Sequence, residues 1–464
     1  MAQGGDANRT MAHSRSAAGA VVLLRSLSFA DPVVMTSAVS PQARGNSAAR
    51  VLVASAIGTT IEFFDFYIYA TAAVLVFPKL FFPPGDPATA VLQSLVTFAL
   101  AFFARPVGSV VFGHFGDRIG RKATLVAALL TMGASTVAIG LIPSYASIGI
   151  LAPLLLALCR FGQGLGLGGE WGGAVLLATE NAPPGQRAWY GMFPQLGAPV
   201  GFLLSSGVFL TLSRSLSNAD FLAWGWRVPF IASVLLVAVG LYVRLAIEET
   251  PDFVKAMQNQ ERVALPMRDV LVRHGRVLLL GSVVSLTTFL LFYLMTVFTL
   301  SWGTTAMGYA REQFLVAQMI AVLFFAAGIP LSAWMASRVG YGNALCLATV
   351  LIAAFGLAFP ALFHAGDLPL TTAFLSLGLF CMGLTYGPLG TALASIFPTA
   401  VRYTGASLAF TLAGILGASL APSIATALAK SQGLQAVGYY LSAAAVISLL
   451  ALLPVRRDMG GDSA

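Results

Sequence analysis

The chain has 464 residues, of which 58% are hydrophobic and 9% charged, with a mean hydropathy of +0.84. A soluble domain carries about 25% charged residues, so the composition excludes an ordinary soluble enzyme and describes a protein that crosses a membrane many times. The net charge of +8 does not point to nucleic acid, because the Lys and Arg residues are scattered between apolar runs and form no continuous basic stripe.

Residues 1–50 read as a polar N-terminal tail, rich in Ala, Ser and Gly with dispersed arginines. Its apolar patch, Ala17 to Leu24, is too short to span a bilayer, and Arg25 interrupts it. Met35 is an alternative start, since Met35 to Arg50 already makes a short basic tail.

Apolar runs of about 20 residues, the length a bilayer demands of a helix, then recur with short gaps. Twelve are expected, near 51–77, 90–113, 123–142, 148–178, 189–212, 228–245, 277–301, 314–336, 344–362, 370–393, 403–429 and 434–454. The long polar stretch 246–276 divides them into an N-terminal bundle (51–245) and a C-terminal bundle (277–454), with 455–464 as a tail. The expected fold is an all-α membrane protein of two pseudo-symmetric six-helix bundles.

Orientation follows from the basic residues. With a cytoplasmic N-terminus, nineteen of the 26 Lys and Arg fall on the cytoplasmic side and five on the other, with Arg105 and Arg160 inside spans. Both termini are therefore expected in the cytoplasm. Arg105, near the cytoplasmic end of the second run, reads as a side chain that snorkels to the interface. Cys159, Cys346 and Cys381 lie in apolar runs without paired spacing, and the four histidines are far apart, so neither a disulfide nor a metal site is expected.

The halves carry traces of a repeat. Gly113-His114-Phe115-Gly116-Asp117-Arg118-Ile119-Gly120-Arg121-Lys122 follows the second run, and Ala333 to Gly342 follows the eighth. The first stretch resembles the loop signature of the major facilitator superfamily, and Arg160 to Gly169 resembles its fourth-helix signature. Glu62-Phe63-Phe64-Asp65-Phe66-Tyr67, Gln163 to Ala174, Trp224 to Phe230 and Phe397 to Gly405 are similar to the metabolite:proton symporter family, which includes carriers of shikimate, α-ketoglutarate, citrate, and proline or betaine. The second repeat departs from the first, with Ser337 in place of Asp117 and Tyr341-Gly342 in place of Arg121-Lys122, so a latch there would be weaker or absent.

Glu62 and Asp65 are three residues apart, on one face of a helix and near mid-bilayer. Ionising both at that depth is costly, so the pair is the candidate proton carrier. The resemblance implies that the first, fourth, seventh and tenth helices line a central cavity. Arg160 would then face Glu62 or Asp65 in some states and a substrate anion in others, its fork suited to carboxylate. Gln163 and Glu170 share a compatible face, and Tyr67, Tyr293 and Tyr386 complete the candidate substrate site. The glycines between Gly162 and Gly173 read as packing residues and not as a phosphate loop, since no Lys-Ser or Lys-Thr follows.

The resemblance further implies a cytoplasmic gate of Gly113, Asp117, Arg118, Gly120, Arg121, Lys122, Glu180, Arg187 and Arg402. In it Asp117 approaches the start of the eleventh helix near Tyr403, and Arg121 pairs with Glu180. The expected function is proton-coupled uptake of a small organic anion by alternating access across the inner membrane, by a monomer without cofactor. The alternative is a zwitterion or osmolyte symporter, in which an aromatic such as Tyr67 or Trp171 cradles the ammonium. A transport-like sensor ranks lower, and no catalytic set suggests an enzyme.

Overall fold

The computed structural model describes Met1 and residues 48–119, 121–168, 170–245, 266–398 and 401–460; for 48–51, 113–119, 121–123, 125 and 266 only the backbone is described. The long helices are α1 (Ala48–Leu75), α2 (Pro87–Ile119), α3 (Arg121–Leu141), α4 (Leu151–Glu180), α5 (Arg187–Ser215), α6 (Val228–Leu245), α7 (Gly275–Thr305), α8 (Arg311–Val339), α9 (Tyr341–Leu357), α10 (Leu368–Ser395), α11 (Arg402–Gln432) and α12 (Leu434–Val455). Among the described residues, nine helices are long and apolar enough to cross a membrane, and α3 and α9 contain shorter apolar stretches. α1 is not among the nine, and it is the helix that carries both Glu62 and Asp65.

Local sequence explains where several helices start and stop. Asp86 precedes Pro87 and accepts from the Thr89 amide and hydroxyl, both at 2.9 Å, which caps α2 and holds the exposed Asp86 carboxyl below its usual range. Asp367 caps α10 in the same way, accepting from the Leu370 amide at 2.8 Å. α8 ends at Gly340, whose φ of 83° suits a residue without Cβ.

The segment read as a loop after the second run is mostly helix. α2 continues through 113–119 and α3 begins at Arg121, so only residue 120 separates them. Nothing in Gly113 to Ile119 breaks a helix, and the backbone carries its hydrogen bonds past the end of the apolar run.

Among the described residues two helices contain π turns, Leu294–Phe298 in α7 and Ile415–Ser419 in α11. A π turn loosens the backbone bonding, which hydrocarbon does not tolerate unless other groups compensate. Gln318 of α8 does so in α7, donating to the carbonyls of Met295 at 3.1 Å and Thr296 at 2.7 Å.

Helix packing follows one pattern twice. α1 packs on α5, α2 on α4, and α3 on α4 and α6; six helices later α7 packs on α11, α8 on α10, and α9 on α10 and α12. Between the two sets, α5 meets α8 and α10, while α2 and the second part of α4 meet α11. On the outside, Leu158, Leu235, Val239, Tyr242, Ile447 and Leu450 stand exposed. Such apolar faces are stable against acyl chains and would associate in water.

Candidate transport site

The centre of the molecule is closed. α4 is interrupted between its Leu151–Leu167 and Trp171–Glu180 parts, and the Trp171 ring stacks on Phe410 of α11 at 3.4 Å between centroids. A Cβ on Gly172 would collide with the Ser407 hydroxyl, so the helices touch through the glycine. Nearby, Gln195 of α5 accepts from the Trp171 indole at 3.2 Å and donates to the Tyr386 carbonyl of α10 at 3.2 Å. The neighbouring glycines have the packing role expected of them: Cβ atoms on Gly164 and Gly168 would strike the α2 backbone at Ala101 and Arg105.

Two small cavities adjoin within this contact, each with room for about one water molecule. The first is lined by Glu62, Arg105, Trp171 and Ser407, among others. The second is lined by Tyr67, Arg105, Phe292, Tyr293, Met382 and Tyr386, among others. Rings bridge the two helix sets here: Phe63 to Tyr386 at 6.4 Å, Tyr67 to Phe292 at 5.5 Å and Phe66 to Tyr293 at 6.1 Å.

Glu62 and Asp65 diverge. Glu62 faces the first cavity, whereas Asp65 points toward α3 and accepts from the Thr136 hydroxyl at 3.0 Å. Three helical residues turn the chain by about 300°, leaving two side chains about 60° apart, enough to reach different neighbours. Arg160 does not touch either carboxylate. Its NH1 donates to Gln163 Oε1 at 3.0 Å, and Gln163 Nε2 donates to the same Thr136 hydroxyl at 2.8 Å. The result is a buried chain, Arg160 to Gln163 to Thr136 to Asp65. The guanidinium also donates from Nε to the Phe98 carbonyl at 3.3 Å and lies over Tyr69 and Phe66 at 4.0 and 4.3 Å. Arg160 is therefore enclosed among α1, α2 and α4, outside both cavities.

The cavity cation is Arg105. The apolar run does end where expected, near Phe112, but Arg105 does not snorkel to the interface: its side chain turns inward, 6% exposed, and lines both cavities. Glu170, expected on the substrate face, forms a buried ion pair with Arg244 at the end of α6. The guiding signal for that pair was available, since Arg244 is the last charge of an apolar run.

Of the expected gate, Gly120 lies outside the described residues, and so do the side chains of Gly113, Asp117, Arg118, Arg121 and Lys122. Glu180 ends α4 and Arg187 begins α5, both exposed. Arg402 begins α11 and donates from Nε to the Phe397 carbonyl at 3.4 Å.

Residues 51–265 match the family described as sugar (and other) transporter. The chain is 58% identical over 413 residues to the inner membrane metabolite transport protein YhjE of Escherichia coli (strain K12), covering 88% of this chain and 94% of that protein. It belongs to the major facilitator superfamily of metabolite transporters. The transporter is also 35% identical over 412 residues to the shikimate transporter of the same strain (88% and 94% covered), and 34% over 416 residues to the proline/betaine transporter of Salmonella typhimurium (86% and 82%). In fold it resembles the proton:xylose symporter XylE bound to 6-bromo-6-deoxy-D-glucose, with a TM-score of 0.68 at 18% identity over 88% of this chain and 95% of that one. It is a multi-pass inner membrane protein and a secondary transporter, not an enzyme.

Proposed function

We propose that the transporter couples inward movement of a small organic anion to protons, through alternating closure of two six-helix bundles, 51–245 and 277–454, with twelve spans and both termini cytoplasmic. The repeated packing pattern supports the two-bundle arrangement. Trp171 on Phe410, reinforced by the Asp117 to Lys122 stretch with Glu180, Arg187 and Arg402, is the cytoplasmic closure in this reading. A single chain contains every residue the cycle uses.

The observation that carries the reading is the position of Glu62 and Asp65. Both are buried, neither takes part in an ion pair among the described residues, and each keeps one oxygen without a hydrogen-bond partner. A carboxylate left so in hydrocarbon is costly, and a proton relieves the cost. Glu62 then exchanges protons with the cavity, and Asp65 signals its state to Arg160 through Thr136 and Gln163. Glu170 with Arg244 holds the interrupted part of α4 to α6.

Uptake of labelled shikimate, α-ketoglutarate and citrate into proteoliposomes tests the reading. Accumulation driven by an inward proton gradient and abolished by an ionophore is expected; transport indifferent to the gradient overturns it. A zwitterion substrate is the second reading, favoured by the presence of Glu62, Arg105 and the Trp171 face in one cavity. Gradient-driven accumulation of glycine betaine alone would select it.

A further inference from the structure

The two cavities share Arg105 and Phe410. Arg105 is 6% exposed, its Nε has no hydrogen-bond partner, and its guanidinium lies over Phe66 and Phe102 at 5.1 and 5.2 Å. Three further buried polar groups on these walls or at their edge also lack partners: Glu62 Oε2, the Ser407 hydroxyl and the Tyr386 hydroxyl, on residues 3%, 7% and 3% exposed. Native interiors satisfy nearly all buried polar groups, and each exception calls for an explanation. Here the exceptions come from α1, α2, α10 and α11 and converge on one place, with a cation, two hydroxyl donors and one acid among them.

We infer that Arg105 is the residue that holds the substrate carboxylate, and that the substrate is a monocarboxylate with a compact ring or other flat body. The inference rests on the organic-anion reading above and narrows it. A planar guanidinium with a free edge suits a carboxylate. Arg160 also keeps one unpartnered nitrogen, NH2, but it lines neither cavity: Phe98 and Gln163 take its other donors and three rings cover it. The limit to one carboxylate comes from the charge count on the walls. Among the described residues lining the two cavities, Arg105 is the one cation and Glu62 the one acid. A second substrate carboxylate would meet no further cation among these described residues and would face Glu62, at a cost that grows as water leaves. The flat body follows from the remaining walls, where Tyr67, Phe292 and Tyr293 and the edges of the stacked Trp171 and Phe410 rings line the space. Tyr386 and Ser407 donate to the carboxylate or to a hydroxyl on the ring.

The test uses the purified full chain, with shikimate and benzoate as ring monocarboxylates, α-ketoglutarate and citrate as polycarboxylates, and calorimetric titration as the readout. The ring monocarboxylates are expected to bind more tightly than either polycarboxylate. Arg105→Gln is expected to weaken them by about 30-fold, the loss of one charge-assisted pair. Arg105→Lys keeps the charge but not the fork, and is expected to weaken them by about fivefold. The inference is overturned if either Arg105 variant binds as the natural protein does, or if a polycarboxylate binds more tightly than both ring acids. Should Arg105→Gln fail to fold, as judged by circular dichroism, Arg105→Lys and Tyr386→Phe decide. Gradient-driven uptake separates this inference from the reading beneath it. Accumulation of α-ketoglutarate but of neither ring acid leaves the anion symporter standing and removes the monocarboxylate site; accumulation of no carboxylate removes both.

Discussion

Replacing Thr136 with valine preserves side-chain volume and deletes one hydroxyl. That hydroxyl donates to Asp65 Oδ2 at 3.0 Å and accepts from Gln163 Nε2 at 2.8 Å, in a fully buried position. The variant leaves a buried amide donor and a buried carboxyl oxygen unpartnered, each costing about 1–3 kcal/mol, so unfolding stability should fall by roughly 2–6 kcal/mol. Serine is the control: it keeps the hydroxyl and loses one methyl group, about 1 kcal/mol. Thermal unfolding in detergent should therefore rank natural protein, then serine, then valine. Transport should separate them more sharply. With the chain from Asp65 to Arg160 cut, the valine variant should retain exchange of labelled for unlabelled substrate and lose accumulation against a gradient. The serine variant should retain both. A folded valine variant that accumulates substrate as well as the natural protein would refute the relay, and so would a serine variant that fails equally.

Three other perturbations address the surrounding structure. Gly172→Val should force α4 and α11 apart at Ser407 and lower uptake by about tenfold, through overpacking at a helix contact; adding Ser407→Gly should recover part of it. Glu170→Gln or Arg244→Gln should each cost about 3–5 kcal/mol in thermal unfolding, because each breaks a buried pair, while the double change to methionine should cost less than either. Arg227 donates from NH1 to the carbonyls of Gly140 at 2.7 Å and Ile142 at 2.8 Å at the end of α3, so Arg227→Ala should lower stability by about 2 kcal/mol, measured by denaturation.

Hydrophobic run length made the helices legible, because a bilayer sets that length independently of tertiary contacts. It also exposed Glu62, Asp65 and Arg160, since any charge inside such a run is conspicuous. What the sequence left hidden depends on where each run sits in depth and on which neighbour each face meets. Arg105 sits about two turns inside the end of its apolar run, close enough to snorkel, and only the packing of α2 against its neighbours turns it inward to the cavities. The partnership of Asp65 with Thr136, 71 residues away on α3, leaves no local trace. Glu170 and Arg244 were each visible, but pairing them required the interruption of α4, where Gly168 lies hard against Arg105 and Ser109 of α2. The π turn at Leu294–Phe298 is equally silent, since its compensating group, Gln318, belongs to another helix.

The most direct measurement of the central claim is the movement of protons themselves. Proteoliposomes containing a pH-sensitive dye in the lumen would be given shikimate outside, at equal pH on both sides and with the membrane potential clamped. The account predicts that substrate addition acidifies the lumen in the natural protein and that Glu62→Gln carries substrate without acidification. Substrate entry with no lumenal pH change, or acidification undiminished in Glu62→Gln, would contradict it.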